Sequence, residues 1–105
     1  MSEPTELLYA KLLGETASIS WQELQPFFAR GAVLRVDGSL DLVEVATAIA
    51  QDDGAKVQGW LVAGSVRKLL DSDAEDFASR DPDLWAVVVA PWVLVQERAA
   101  APVVH

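Results

Sequence analysis

The residues able to do chemistry in this chain of 105 are its carboxylates, since it has no cysteine and its one histidine, His105, is the last residue. Thiol nucleophiles, cysteine-based zinc or iron–sulfur sites and imidazole chemistry from a folded core are thereby excluded. The densest acidic stretch holds Asp71, Asp73, Glu75, Asp76, Asp81 and Asp83, hard oxygen donors of the kind calcium takes. The loop pattern fails, because an EF-hand needs glycine where Asp76 stands and a bidentate glutamate where Pro82 stands. A plainer use accounts for each residue: Ser72 and Asp81 as helix caps, Asp73 and Glu75 in a first helical turn, where a carboxylate contributes about 0.3 to 1 kcal/mol. Asp52 and Asp53 fall at the C-terminal end of a predicted helix, against its dipole. With Glu44 they form the one three-carboxylate set for magnesium or manganese, to be completed by a substrate phosphate or waters. The competing reading makes one of them the N-cap of the following helix.

Nucleophilic catalysis finds serines and threonines with only Lys11, Lys56 or Lys68 as bases, and no Gly-x-Ser-x-Gly elbow. The six glycines, at 14, 31, 38, 54, 59 and 64, are isolated, so no phosphate-cradling loop exists. No cofactor is expected. Arg30, Arg35, Arg67 and Lys68 make a small positive patch if their two strands are neighbours, but sixteen acidic against eight basic residues give a formal charge of −8, which repels nucleic acid. Pairing with Asp37 and Asp71 is the simpler use of these charges.

The elements that must position these groups can be read from periodicity. Apolar residues make up 51% and charged ones 23%, which suits one globular domain, expected over residues 1–97 with a disordered tail at 98–105. Leu8, Tyr9, Leu12 and Leu13 share one face of a first helix beginning near Pro4. Ser20 and Glu23 form a capping box, with Ile19 and Leu24 as the hydrophobic staple, so a second helix starts at Trp21. Pro26 predicts a kink or a short first turn, and Gly31 a stop. Ala32 to Val36 is β-branched and closed by Asp37-Gly38, hence a strand. Leu42, Val45, Ala46, Ile49 and Ala50 make the best-patterned helix. Val57, Trp60 and Leu61 mark another, ended by Gly64. Ser65 to Leu70 reads as a second strand, Ser72 with Glu75 as a second capping box, Asp81-Pro82 as the cap of a final turn, and Trp85 to Gln96 as the third and longest strand.

Laid on itself so that Gln25 meets Gln58, the chain also matches Gly31 with Gly64, Val33 with Val66 and Ser39 with Ser72. The repeated unit would be helix, glycine cap, strand, turn and capped helix, either a duplication or reuse of one way of stopping a helix. The expected architecture is α+β, four to five short helices packed on a small, three-stranded sheet.

The run Ile19-Ser20-Trp21-Gln22-Glu23-Leu24, the stretch Phe27-Phe28-Ala29-Arg30-Gly31, the block Leu40-Asp41-Leu42-Val43-Glu44-Val45-Ala46 and the ending Val89-Ala90-Pro91-Trp92-Val93-Leu94-Val95-Gln96-Glu97 together resemble a bacterial family of small proteins known as a domain of unknown function. The resemblance spans about Thr5 to Glu97 and implies no activity, cofactor or catalytic residue. Pro26 and the tail Arg98 to His105 depart from it.

The third strand carries the functional expectation. Trp85 to Val95 is apolar on both faces, so both must be covered. Interrupted by Pro91, it is far shorter than the roughly 20 residues of a membrane span. Pro91 cannot donate to a central ladder and marks an edge or bulge, and Trp92 beyond it is the kind of aromatic that anchors interfaces. Burial by helices from both sides is the alternative. The N-terminus, Met1-Ser2-Glu3-Pro4-Thr5-Glu6, has acid where a secretory signal is basic, which points to the cytoplasm. The expected function is therefore a non-enzymatic cytoplasmic interaction module that self-associates as a dimer through the third strand, with Val89, Pro91, Trp92 and Val93 as contacts. Another protein is the second class of partner, and neither nucleic acid nor membrane is expected. The alternative is a small carboxylate-based metal-dependent enzyme or ligand-binding protein using Glu44, Asp52 and Asp53.

Overall fold

The computed structural model describes residues 4–98. In chain order the elements are α1 (Thr5–Glu15), β1 (Ala17–Ile19), α2 (Trp21–Ala29), β2 (Val33–Val36), α3 (Leu42–Ala50), α4 (Gly54–Ala63), β3 (Val66–Lys68), α5 (Asp71–Arg80), β4 (Leu84–Val89) and β5 (Trp92–Glu97). The fold is α+β as expected, but the sheet has five strands in the order β1-β4-β5-β2-β3, not three. All neighbours are antiparallel except β2 and β5, which run parallel.

Two corrections account for the extra strands. Ala17–Ile19 has no alternation to announce it, yet the ladder of β4 recruits it: Ala17, Ser18 and Ile19 pair with Ala86, Trp85 and Leu84. The expected third strand is two strands, because a cis Ala90–Pro91 bond sits where the chain reverses and β4 and β5 pair along their whole length, from Leu84 opposite Glu97 to Val89 opposite Trp92. Pro91 thus belongs to a hairpin connection, where no ladder donor is needed, and does not mark the strand edge assigned to it.

The unbroken apolar run follows from layers on both sides of the sheet. Leu34, Val36, Val66, Val87 and Leu94 join α1 and α3 in one core, with Leu8, Tyr9, Trp60, Trp85, Val89 and Trp92 packed against it. Val33, Leu84, Ala86, Val93 and Val95 point the other way, onto Trp21 and Leu24 of α2 and Phe77 of α5. Trp21 holds this second core together, its ring 5.7 Å from that of Phe28 and edge-on to Phe77 at 6.1 Å. At the far end, the buried amide of Gln96 donates to the carbonyls of Asp37 (2.9 Å) and Leu40 (2.7 Å), pinning the turn that launches α3.

Local signals were obeyed where nothing opposed them. Ser20 and Glu23 make the predicted capping box, and α2 runs helically through Pro26 to Ala29 with neither a break nor a shortened first turn. The second box is displaced and half-formed: α5 starts at Asp71 with Leu70 at the N-cap in place of Ser72, and Asp73 in place of Glu75 accepts from the Leu70 N–H at 2.8 Å. Asp81 ends α5 in the left-handed region (φ 49°) and does not cap a further turn. The internal repeat is real at the level of elements: Ser20 and Asp53 are both N-caps, and Gly31 (φ 71°) and Gly64 (φ 78°) both stop their helices in the left-handed region, which glycine enters without steric cost. Yet Val33 faces the α2/α5 core and Val66 the α1/α3 core. The repeat therefore reuses a way of stopping helices, not a packing unit. Of the tail, Arg98 donates its N–H to Asp83 and lies over Trp85; residues 99–105 lie outside the described part.

Candidate interaction surface

The alternative metal site is not assembled. Glu44 stands in the first turn of α3 and Asp52 and Asp53 follow its last turn, a rise of about 12 Å for eight residues at 1.5 Å each. Asp53 is spent as the N-cap of α4, accepting from the Lys56 N–H at 3.3 Å. Asp52 is left-handed (φ 57°) at the turn between the helices. Among the described residues no three carboxylates or imidazoles converge on a point where they could share an ion.

Of Arg30, Arg35, Arg67 and Lys68, two are brought together, and among the described residues their ion-pair partners are Asp73 and Glu97 in place of the expected Asp37 and Asp71. Arg35 and Arg67 are direct cross-strand partners on β2 and β3, an arrangement in which like charges repel. Asp73, delivered by α5 from above the sheet, resolves the conflict: it accepts from Arg35 at 2.6 Å and from Arg67 at 2.6 and 3.0 Å. The Arg67 hydrogen bonds hold the Asp73 carboxyl down to about 2, with further help from the Leu70 N–H and Arg35. Glu97 extends the network, bridging Arg35 (3.6 Å) and Arg80 (2.9 Å), and Arg80 also clamps Asp76. Hydrogen bonding from Ser20, Ser39, Arg67 and Arg80 respectively pulls Glu23, Asp37, Asp73 and Asp76 down, and Arg80 does the same for Glu97. Such groups stay ionised at neutral pH, whereas a general acid needs its pKa raised. A cleft of about 510 Å³ is lined by Ser18, Ser20, Glu23, Asp81 and Asp83, and there Ser20 and Glu23 are already occupied as a capping box.

The strand residues expected at an interface are divided by the hairpin. Val93 is core, 3% exposed in the α2/α5 layer, and leaves the list of contacts. Trp92 is half-buried against the α1/α3 core, with Lys68 Nζ 5.6 Å above its ring. Val89 is half-buried at the end of β4 and Pro91 is exposed at the tip. The residue sequence reasoning missed is Val88: it points to the same side as Leu84 and Ala86 but is 58% exposed and lies outside the α2/α5 core. With both faces apolar, no alternation distinguished it.

The free ladder lies beside it. β1 pairs with only Leu84 to Ala86, so among the described residues nothing pairs with Val87, Val88 and Val89 on that side. The chain enters the sheet from α1 through Thr16, and Leu7 of α1 is also solvent-exposed.

A match to the family described as "Protein of unknown function (DUF2288)" covers residues 7–97. The chain belongs to that family. The DUF2288 chain is also similar, over 100% of its own length and 97% of the other's, to the NMR solution structure of PA1075 from Pseudomonas aeruginosa, at 64% identity and a TM-score of 0.80. A comparison with curated proteins finds no match. Among the described residues of this DUF2288 protein, no helix is long and apolar enough to cross a membrane.

Proposed function

We propose that the chain is a non-enzymatic, cytoplasmic interaction module that self-associates through the exposed half of β4. The observation that carries this reading is the unpaired Val87–Val89 edge beside exposed Val88. Natural edges are blunted by charge, proline, bulges or shortness. β1, the outer strand on this side of the sheet, follows that rule with only three residues. From Ala86 to Val95 there is no charged residue, so no like charges are set against each other within the paired segment. Antiparallel pairing of β4 with its counterpart about a two-fold axis near Val88 is self-complementary and joins two five-stranded sheets into one of ten. Val89 and Pro91 flank that axis, while Trp92 supports it from beneath.

Light scattering on size-exclusion fractions tests the reading across a roughly tenfold dilution. The expected mass approaches that of two chains at the higher concentration and moves towards that of one chain on dilution. The mass of a single chain at both concentrations would sink it.

A further inference from the structure

A second surface lies at the opposite edge of the sheet. Residues 54–70, which contain α4 and β3, hold Lys56, Arg67 and Lys68 and no acidic residue, whereas the rest of the chain has five basic and sixteen acidic residues. An apolar helix is ordinarily buried. α4, Gly-Ala-Lys-Val-Gln-Gly-Trp-Leu-Val-Ala, is apolar apart from Lys56 and Gln58, and none of its residues is buried. Val57 and Trp60 are half-buried towards the protein, while Leu61 and Val62 are exposed, as is Leu70 just past β3. β3 itself pairs on one side only, with β2. Arg67 is neutralised by Asp73, but neither Lys56 nor Lys68 makes an ion pair among the described residues.

We infer that the β3 edge with α4 is a docking surface for an extended, acidic and apolar segment of a partner protein, added to the sheet as a further strand along Val66–Lys68. Backbone groups of β3 supply the ladder, and pockets for alternate side chains supply selectivity, as in strand addition generally. On the α4 side of the sheet the added strand meets Trp60 and Leu61 together with Lys68. A second copy of this chain is a poor occupant, since its own charge-free edge is β4 and no acidic run of an exposed strand is available to pair with β3. Charge selects the partner more than it strengthens the complex: an acidic segment is drawn to this edge, while a basic one meets Lys56 and Lys68.

The probe is a capped synthetic peptide of about eight alternating valines and glutamates, long enough for one strand, titrated into the full isotope-labelled chain and followed by its amide NMR signals. The expected result is saturable movement of Val66 to Leu70 and of Trp60 to Val62, weakened by high salt and absent with the valine–lysine counterpart. The Lys56→Glu, Lys68→Glu double variant should keep the native spectrum elsewhere and bind about tenfold more weakly or worse. No movement with the glutamate peptide, equal movement with the lysine peptide, or movement confined to Val87–Val89 would overturn the inference. So would binding to phosphatidylserine-containing vesicles in the absence of any peptide response, which would make the surface a membrane contact.

Discussion

Replacing Asp73 by asparagine is expected to destabilise the protein by about 2 to 3 kcal/mol, lowering its melting temperature by roughly 10 to 20 °C for a chain of this size. The carboxylate accepts three hydrogen bonds from two arginines and one from the Leu70 N–H. Without its charge, Arg35 and Arg67 face each other across β2 and β3 with only Glu97, 3.6 Å from Arg35, to offset them. Both guanidiniums retain some contact with water, which keeps the expected loss below that of a fully buried pair. Glu75→Gln on the exposed side of the same helix should change stability by no more than about 0.5 kcal/mol. The sign of the pH dependence follows from the depressed pKa. A carboxyl held at about 2 when folded and near its ordinary value when unfolded contributes fully above roughly pH 4 and loses its contribution as pH falls towards 2. The gap between the native chain and Asp73→Asn, measured by urea unfolding, should therefore close over that window. A gap that persists undiminished at pH 2 would mean the asparagine acts through packing and not through charge.

Val88→Asp should weaken self-association at least a hundredfold, about 3 kcal/mol, while leaving the monomer within roughly 0.5 kcal/mol of native stability. Near a two-fold axis each copy would bring a carboxylate towards the other, and a charged side chain is how natural edge strands refuse partners. The selectivity of the test comes from exposure. Val88 contributes little to the monomer's core, whereas Trp92→Asp strikes a half-buried ring that packs against the α1/α3 core, so unfolding and dissociation would be confounded. Circular dichroism together with sedimentation on the same sample separates the two effects. Loss of fold in Val88→Asp would place that side chain inside the monomer; an unchanged association constant would move the contact elsewhere.

Helices were legible because their signals are local. The Ser20 and Glu23 box, the Leu42 to Ala50 stripe and the glycine stops at 31 and 64 all rest on residues close together in the chain. Sheet order was not, because it is decided by partners distant in sequence: nothing within Ala17–Ile19 states that it will pair with Leu84–Ala86. The hairpin was concealed by the same property that made its strands conspicuous. With helices on both faces, β4 and the first half of β5 are apolar at every position, and only Ala90-Pro91 separated two strands from one. Asp73 shows a third limit: read locally it was a first-turn acid, which it is, but its inward turn depends on Arg35, thirty-eight residues away. The exposure of Val88 is a fact of tertiary packing, with no counterpart in local spacing.

Pairing of β4 across copies has one signature that no other interface shares. In a mixed sample of isotope-labelled and unlabelled chains, isotope-filtered NMR should detect contacts between copies from the Val88 methyl groups to Val88, and from the Val87 and Val89 amides to their counterparts. Contacts between copies that map instead to α4 and β3, or a sample of dimer mass with none at Val87–Val89, would contradict the account.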